Sequence, residues 1–336
     1  MTSAEVVAGI LWLSLTAYAV LAGADFGGGV WDLFASGPRA VDQRSSVAEA
    51  MGPVWEANHV WLIFMITGLF TAFPITFGAL GLALYLPFTI ATVGIVLRGA
   101  SFAFRAHGRD AVGPLSPWGA VFGVASLVTP FFLGTAAAAV ATGSIHAPAG
   151  QLVTDFLEGW TTPLAVVIGL FAVSICAYLA ATYLMVENEN HPALLADFRR
   201  RAIAAAIVSG LLALLSIAIS TIEGAQLLGS LTGRGLPLFV LALLNGPLAL
   251  WAVWRSRPRI ARVAVVAQVV LVLWAWAVGQ WPYLVPPDLT ISGTAAPSAT
   301  LTAMLVVIVI GGLILVPSLW LLFRVFKPGR QLPRPD

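Results

Sequence analysis

Five residues in one short stretch of the chain combine polar chemistry with an apolar setting. Glu56, Asn58 and His59 bring a carboxylate, an amide and an imidazole, while Trp55 precedes them and Trp61 follows them into a long apolar run. An ionisable group inside a membrane span is costly, by roughly 3 kcal/mol or more on insertion scales. Because such groups usually carry a function, this stretch predicts a site that handles protons inside a membrane.

Two further ionisable residues, Asp25 and Arg98, lie inside neighbouring apolar runs. The predicted span directions put these residues and Glu56 at similar depth on the cytoplasmic side, and short connections make consecutive spans neighbours. An arginine favours the ionised form of a nearby carboxylate, and burial favours the neutral form. We therefore predict an acidic–basic cluster in which Glu56 and Asp25 handle protons and Arg98 is the structural counter-ion. A static ion pair that only fixes helix packing is the alternative.

The polar residues around Glu56 share one helical face. Glu56 and His59 are three residues apart and Trp55 and His59 are four apart, so each pair can meet on the helix surface. His59, together with Asn58, could extend a proton relay from Glu56, or could be a hydrogen-bonded residue at a helix contact. Trp55 and Trp61 are expected to serve helix packing or the membrane interface.

Small residues surround Asp25 in the stretch from Gly23 to Gly29. Gly23 precedes Gly27 by four residues, and Ala24 precedes Gly28 by four. Small residues at this spacing let two helix backbones approach closely. The pattern predicts tight packing of this helix on a neighbour.

The composition sets the class of protein that must position these residues. The chain has 336 residues, of which 59% are hydrophobic and 10% charged, whereas about 25% of the residues of a soluble domain are charged. A helix needs about 20 apolar residues to cross the hydrocarbon core. The sequence therefore predicts an all-α integral membrane protein with nine transmembrane helices. The predicted spans are residues 5–34, 53–75, 78–103, 118–142, 162–186, 202–223, 236–254, 262–282 and 301–323.

The basic residues predict the orientation. Of the 17 Lys and Arg residues, 15 fall after odd-numbered spans, whereas Arg234 lies on the opposite side and Arg98 lies within a span. Cytoplasmic loops carry the Lys/Arg excess, so we predict an external N-terminus and a cytoplasmic C-terminus. A formal net charge of +2 does not suggest nucleic acid as a partner.

Metal ligands are scarce. The chain has four histidines and one cysteine, and by the predicted topology only His59 lies within a span. The chain alone is not expected to hold a bis-histidine haem, and His59 is a weak candidate for a single metal ligand. Cys176 is expected to be a small buried residue.

Three motifs together resemble subunit II of the cytochrome bd-type quinol oxidases. They are Gly-Ala-Asp-Phe-Gly-Gly-Gly at 23–29, Gly-Pro-Val-Trp-Glu-Ala-Asn-His-Val-Trp-Leu at 52–62, and Leu-Arg-Gly at 97–99. Residues 280–286 and 299–304 add weaker support. The resemblance extends over the whole chain and is most specific in the second motif.

The resemblance implies a single polytopic domain, residues 1–336, with two four-helix bundles at about 1–142 and 162–282 and a peripheral helix at 301–323. It implies a partner, subunit I, that holds haems b558, b595 and d and the quinol site. The complex would reduce dioxygen to water with protons from the cytoplasm. Small single-span accessory subunits, membrane lipid and a structural quinone are further implied partners, in a bacterial or archaeal cell membrane. Glu56 stands where members carry an acidic residue associated with proton entry.

The sequence departs from the family pattern in places, and other functions compete. Ala22 replaces an aspartate of many members, His59 replaces a glutamine, and Pro117 and Trp118 stand where some members have an aspartate. Intramembrane carboxylates also occur in proton-coupled secondary transporters of small solutes, which is the main alternative. A purely structural membrane subunit is a third reading.

Overall fold

The fold is almost entirely helical. The computed structural model describes residues 2–51, 55–107 and 115–326. The helices of these ranges are α1 (Ser3–Leu33), α2 (Ala40–Met51), α3 (Trp55–Ala72), α4 (Pro74–Ala83), α5 (Tyr85–His107), α6 (Pro117–Ala141), α7 (Pro163–Glu187), α8 (Pro192–Ser220), α9 (Ala225–Thr232), α10 (Leu236–Trp254), α11 (Pro258–Gln280) and α12 (Ser298–Phe326), with a short 3₁₀ turn at Pro148–Gly150.

Local sequence explains where many of these helices begin. The Thr2 hydroxyl accepts a hydrogen bond from the Glu5 N–H, and the Glu5 carboxylate accepts one from the Thr2 N–H, which forms a capping box. At α6 and α7 the hydroxyls of Ser116 and Thr162 accept from the Gly119 and Ala165 N–H groups, without a capping box, and each cap directly precedes a proline. These devices satisfy N–H groups that would otherwise lack partners.

The long apolar helices match the predicted spans in number. In the described ranges, eight helices are long and apolar enough to cross a membrane, or up to nine if α3 and α4 are counted as one bent span. The chain is therefore a multi-pass membrane protein. Its orientation in the membrane stays a prediction from the basic residues.

The start of the third predicted span is wrong. The sequence placed it at residue 78, whereas α4 ends at Ala83 and α5 begins at Tyr85. α3 and α4 meet at an angle of 119°, because Pro74 lacks the N–H needed to continue α3 and instead opens a new helix. Pro87, in the first turn of α5, is equally suited to a helix start.

Three elements were not predicted. α2 and α9 lie between the spans, and a two-stranded antiparallel hairpin joins β1 (Tyr283–Val285) to β2 (Leu289–Thr290). The predicted all-α membrane class is confirmed, and the one small hairpin lies between α11 and α12. α2 is polar and α9 is short, so neither has the long apolar run by which the spans were recognised.

α1 and α7 lie at the centre of the packing. α1 contacts α3, α6 and α7, and α7 contacts α8 and α11. The core around α7 includes Leu179, Leu184, Phe198, Val253 and Val265, all fully buried. α7 therefore joins the two predicted halves of the chain, and their description as two four-helix bundles stays a prediction.

α12 lies at the periphery. It contacts α1 and α3, and Val307 and Leu313 are 67% and 72% exposed. In a multi-pass protein, such apolar side chains face lipid or a partner subunit.

Candidate functional site

The Asp25 carboxylate and the Arg98 guanidinium form an ion pair inside the bundle. Arg98 Nη1 lies 2.5 Å from Asp25 Oδ2, and Nη2 donates to Asp25 Oδ1 at 2.7 Å and to the Asp25 carbonyl oxygen at 2.9 Å. The Arg98 side chain is 1% exposed and that of Asp25 is 3% exposed. The structure thus brings together two of the three charges that were predicted at one depth. Their hydrogen bonding is bidentate, which makes such pairs strong.

The surroundings of Arg98 complete its hydrogen bonding. Arg98 Nε donates to Ser126 Oγ at 2.9 Å, and the Ser126 hydroxyl donates to the Phe122 carbonyl oxygen at 2.7 Å. The rings of Phe26 and Phe122 lie 5.1 and 4.6 Å from the guanidinium carbon, a distance at which cation–π attraction contributes. Arg98, on α5, therefore ties α1 and α6 together through one charged group.

A second ion pair repeats this arrangement two helical turns further along. Arg105 Nη1 and Nη2 donate to the two carboxylate oxygens of Asp32 at 2.9 and 3.1 Å. Asp32 follows Asp25 by seven residues and Arg105 follows Arg98 by seven, so both pairs occupy equivalent faces of α1 and α5. This pair was not predicted because Arg105 was assigned to a loop, whereas α5 extends to His107. The shared seven-residue spacing is the signal that could have revealed it.

We expect Arg105→Gln to lower stability measurably, because it leaves the Asp32 carboxylate, 1% exposed, without its charged partner. Hydrogen bonds to charged groups contribute about 1.5–3 kcal/mol, and the loss should appear as a lower midpoint of thermal unfolding in detergent. Arg259→Gln is the matched control, because its ion pair with Glu189 lies on the surface and such pairs contribute little. Equal midpoints for the two variants would contradict the role of the second pair.

Two glycines predicted to pack, Gly23 and Gly27, face α7, and the helices approach more closely at Gly27. A Cβ atom at Gly27 would lie 1.8 Å from the Cys176 carbonyl oxygen, and one at Gly23 would lie 3.1 Å from Leu179 Cδ1. Gly28 is buried on the same helix. The backbones of α1 and α7 therefore occupy the space that a side chain at Gly27 would need.

The beginning of α3 lies against α1. The Asn58 side-chain amide is fully buried and donates to the Leu21 carbonyl oxygen at 3.4 Å. The Ser14 hydroxyl donates to the Trp61 carbonyl oxygen at 2.7 Å. The side chains of Trp55 and Glu56 lie outside the described part of the structure, so their predicted roles stay predictions.

His59 lies near the Asp25–Arg98 pair. Its ring centroid is 6.3 Å from that of Tyr18, and His59 interacts electrostatically with both Asp25 and Arg98. Tyr18 is 5% exposed and also interacts electrostatically with Asp25 and Arg98. Tyr18 was not among the predicted site residues, since a tyrosine in an apolar run is usually a packing residue. The structure thus places an imidazole and a phenol beside the ion pair.

Metal-ligating side chains are sparse in the described ranges. Those ranges hold no group of three or more His, Cys, Asp or Glu residues that could bind a metal ion. His59, on α3, is half-buried near the Asp25–Arg98 pair, and the Asp25 carboxylate is already bound by Arg98. This donor set does not fit a bis-histidine haem within the described part of the chain.

These features define a polytopic helical membrane subunit whose interior is organised by buried ion pairs. Residues 3–326 match the family model described as cytochrome bd terminal oxidase subunit II. The chain belongs to this family and is therefore the second subunit of a terminal oxidase, an oxidoreductase. The resemblance noted in the sequence is confirmed, and the transporter alternative is not favoured.

Known proteins similar to this chain agree in fold and family. A Bacillus subtilis protein with the provisional name cytochrome bd menaquinol oxidase subunit II is 22% identical over 349 residues, covering 100% of this chain and 99% of that protein. Subunit 2 of the Escherichia coli cytochrome bd-I ubiquinol oxidase is 26% identical over 201 residues, covering 56% of this chain and 51% of that protein. A chain of the bd oxidase structure from Geobacillus thermodenitrificans matches with a TM-score of 0.75 and 24% identity, covering 98% of this chain and 100% of that chain.

Proposed function

We propose that this chain assembles with a haem-bearing subunit I into a complex that oxidises quinol and reduces dioxygen to water. Haems b558, b595 and d, held by the partner, supply the redox chemistry. The names of the relatives, which include a menaquinol and a ubiquinol oxidase, support quinol as the substrate. Membership of the bd oxidase family supports haem cofactors in the complex, and we assign them to the partner. Small single-span accessory subunits, lipid and a structural quinone complete the set of expected partners, in a bacterial or archaeal cell membrane.

Within this complex, the chain acts first as a scaffold. The observation that carries this role is the Asp25–Arg98 pair, which is almost fully buried and has both carboxylate oxygens engaged. Removing one member of such a pair is far more costly than replacing both. A subunit held together in this way can present a fixed surface to its partner.

The second proposed role is proton entry from the cytoplasmic side. With an external N-terminus, α3 begins near the cytoplasm and brings Glu56, Asn58 and His59 into the membrane. The carboxylate of Glu56 would take up the proton and the imidazole of His59 would relay it. Asp25, fixed by Arg98, sets the electrostatic field around this route.

We expect Glu56→Gln to slow quinol-driven oxygen consumption several-fold while haem content stays normal, because glutamine keeps the shape and removes the ionisable group. Turnover should be compared in membranes of matched haem content. Glu49→Gln, on the exposed surface of α2, is the matched control. Wild-type turnover in the Glu56 variant would reject the proton role and leave the scaffold role standing.

A further inference from the structure

A basic pocket lies where the connection between α1 and α2 meets the first turns of α8. Its volume is about 290 Å³, and its lining includes Arg39, Gln43, Asp197, Arg200 and Arg201. Three guanidinium groups and one carboxylate therefore face the same space. The pocket is separate from the Asp25–Arg98 site and has no part in the proposed proton route.

The one carboxylate of the lining is already neutralised. Arg39 Nε donates to Asp197 Oδ2 at 2.8 Å, and Arg39 Nη2 donates to Asp197 Oδ1 at 2.7 Å. Gln43 Nε2 adds a third hydrogen bond to Oδ2 at 3.0 Å. Because Arg39 binds both of its oxygens, the negative charge of Asp197 is largely neutralised and repels an incoming anion less.

The other two arginines have no salt bridge of their own among the described residues, and both interact only at longer range with Asp197, which Arg39 already binds. Arg201 Nη2 donates to Gln43 Oε1 at 2.5 Å and to the Phe34 carbonyl oxygen at 3.3 Å, and Nη1 donates to the Trp31 carbonyl oxygen at 3.4 Å. These acceptors are all neutral. Arg200 is exposed, and neither Arg200 nor Arg201 forms an ion pair with a carboxylate of the described residues.

Among the described residues, Asp42 and Arg44 add one charge of each sign near the pocket. Asp42, on α2, interacts electrostatically with Arg39, and the buried Arg44 interacts with Arg201. The pocket therefore retains an excess of two positive charges. A site with this excess attracts a phosphate group, which arginine binds with favourable geometry.

Exposed tryptophans of the kind found at membrane interfaces lie near the pocket, which predicts that it lies at the level of the lipid headgroups. Arg199, beside Arg200 on α8, donates to the Trp254 carbonyl oxygen at 2.6 Å. Trp251 and Trp254 are 43% and 67% exposed at the end of α10, as is typical of tryptophan at a membrane interface. Phe34, whose carbonyl oxygen bonds Arg201, has a side chain that is 56% exposed. Apolar surface thus borders the cationic groups.

We propose that this pocket binds the phosphate of an anionic phospholipid, with Arg200 and Arg201 as the cationic contacts and an acyl chain passing Phe34. Basic pockets between membrane helices commonly take such headgroups. A soluble phosphate would use the same arginines but would gain nothing from the exposed apolar surface. The lipid would steady the junction of α1, α2 and α8, all of which contribute to the pocket or its hydrogen bonds.

The test uses the intact oxidase complex, purified in mild detergent and depleted of lipid. Phosphatidylglycerol, phosphatidylcholine and inorganic phosphate are each titrated, and bound lipid is counted by native mass spectrometry alongside the thermal midpoint. We expect phosphatidylglycerol to bind and to raise the midpoint more than phosphatidylcholine. Arg200→Gln should weaken phosphatidylglycerol binding about five-fold, the value for one surface cation worth about 1 kcal/mol.

Two control variants make the result decisive. Arg200→Lys keeps the charge and should retain most of the binding, whereas Arg255→Gln removes an exposed arginine that does not line the pocket and should bind as wild type does. Equal binding of the two lipids, or equal loss in Arg200→Gln and Arg255→Gln, would overturn the proposal. Equal protection by inorganic phosphate would overturn the lipid assignment in favour of a soluble anion.

Discussion

Arg98→Ala is expected to remove most of the assembled, haem-containing complex from the membrane. The substitution leaves the Asp25 carboxylate, 3% exposed, without a counter-ion inside the bundle. Breaking a buried ion pair from one side costs about 3–5 kcal/mol, which is a large share of the stability of a typical domain. Haem content per unit of membrane protein, read from reduced-minus-oxidised spectra, measures the loss.

The paired replacement separates a missing charge from a missing side chain. The double variant Asp25→Asn with Arg98→Gln removes both charges and keeps polar groups of similar shape, so it should recover part of the haem content that the single variant loses. Arg98→Lys keeps the charge but should restore only part of the haem content, since lysine cannot engage both carboxylate oxygens and Ser126 together. Normal haem content in Arg98→Ala would contradict the scaffold role of the pair.

Gly27→Ala is expected to separate α1 from α7 and to reduce assembly. Its Cβ would fall 1.8 Å from the Cys176 carbonyl oxygen and 2.4 Å from the carbonyl carbon, and backbone atoms cannot move aside as a flexible side chain can. Overpacking commonly costs about 1–3 kcal/mol, and occasionally more. The measurements are the amount of intact complex after purification and its thermal midpoint.

Gly9→Ala is the matched control for this experiment. Gly9 lies on the same helix, and nothing lies within 4 Å of a Cβ added there. Alanine is the better helix former by up to about 1 kcal/mol, so the control should assemble as well as wild type or better. Wild-type assembly of both variants would show that the close approach at Gly27 does not matter for stability.

Much of the fold was predictable, because each membrane span needs a long apolar run and the runs are visible in the sequence. The break between α3 and α5 was not predictable, since Pro74 marks a turn without showing that it begins a separate ten-residue helix at 119° to α3. α2 was not predicted because its sequence is polar and lacks a strong apolar face. The hairpin at Tyr283–Thr290 depends on contacts that local patterns do not show.

Part of the site was predictable from the charged residues and the depth at which the predicted spans place them. Asp25 and Arg98 were placed together because buried charges need partners and consecutive spans are neighbours. Asp32 and Arg105 were missed because the predicted span ended at residue 103, four residues before the end of α5, and helix ends are the least certain part of such predictions. The basic pocket joins residues separated by some 160 positions along the chain, and only the folded structure brings them together.

The most direct test of the account is a reduced-minus-oxidised absorption spectrum of this chain, crosslinked to its neighbours in the native membrane and then affinity-purified in mild detergent. We predict haem b and haem d bands, a second large membrane subunit in the same crosslinked species, and quinol oxidase activity in a parallel sample without crosslinker. A crosslinked preparation that contains this chain alone, without haem, would contradict its role as an oxidase subunit.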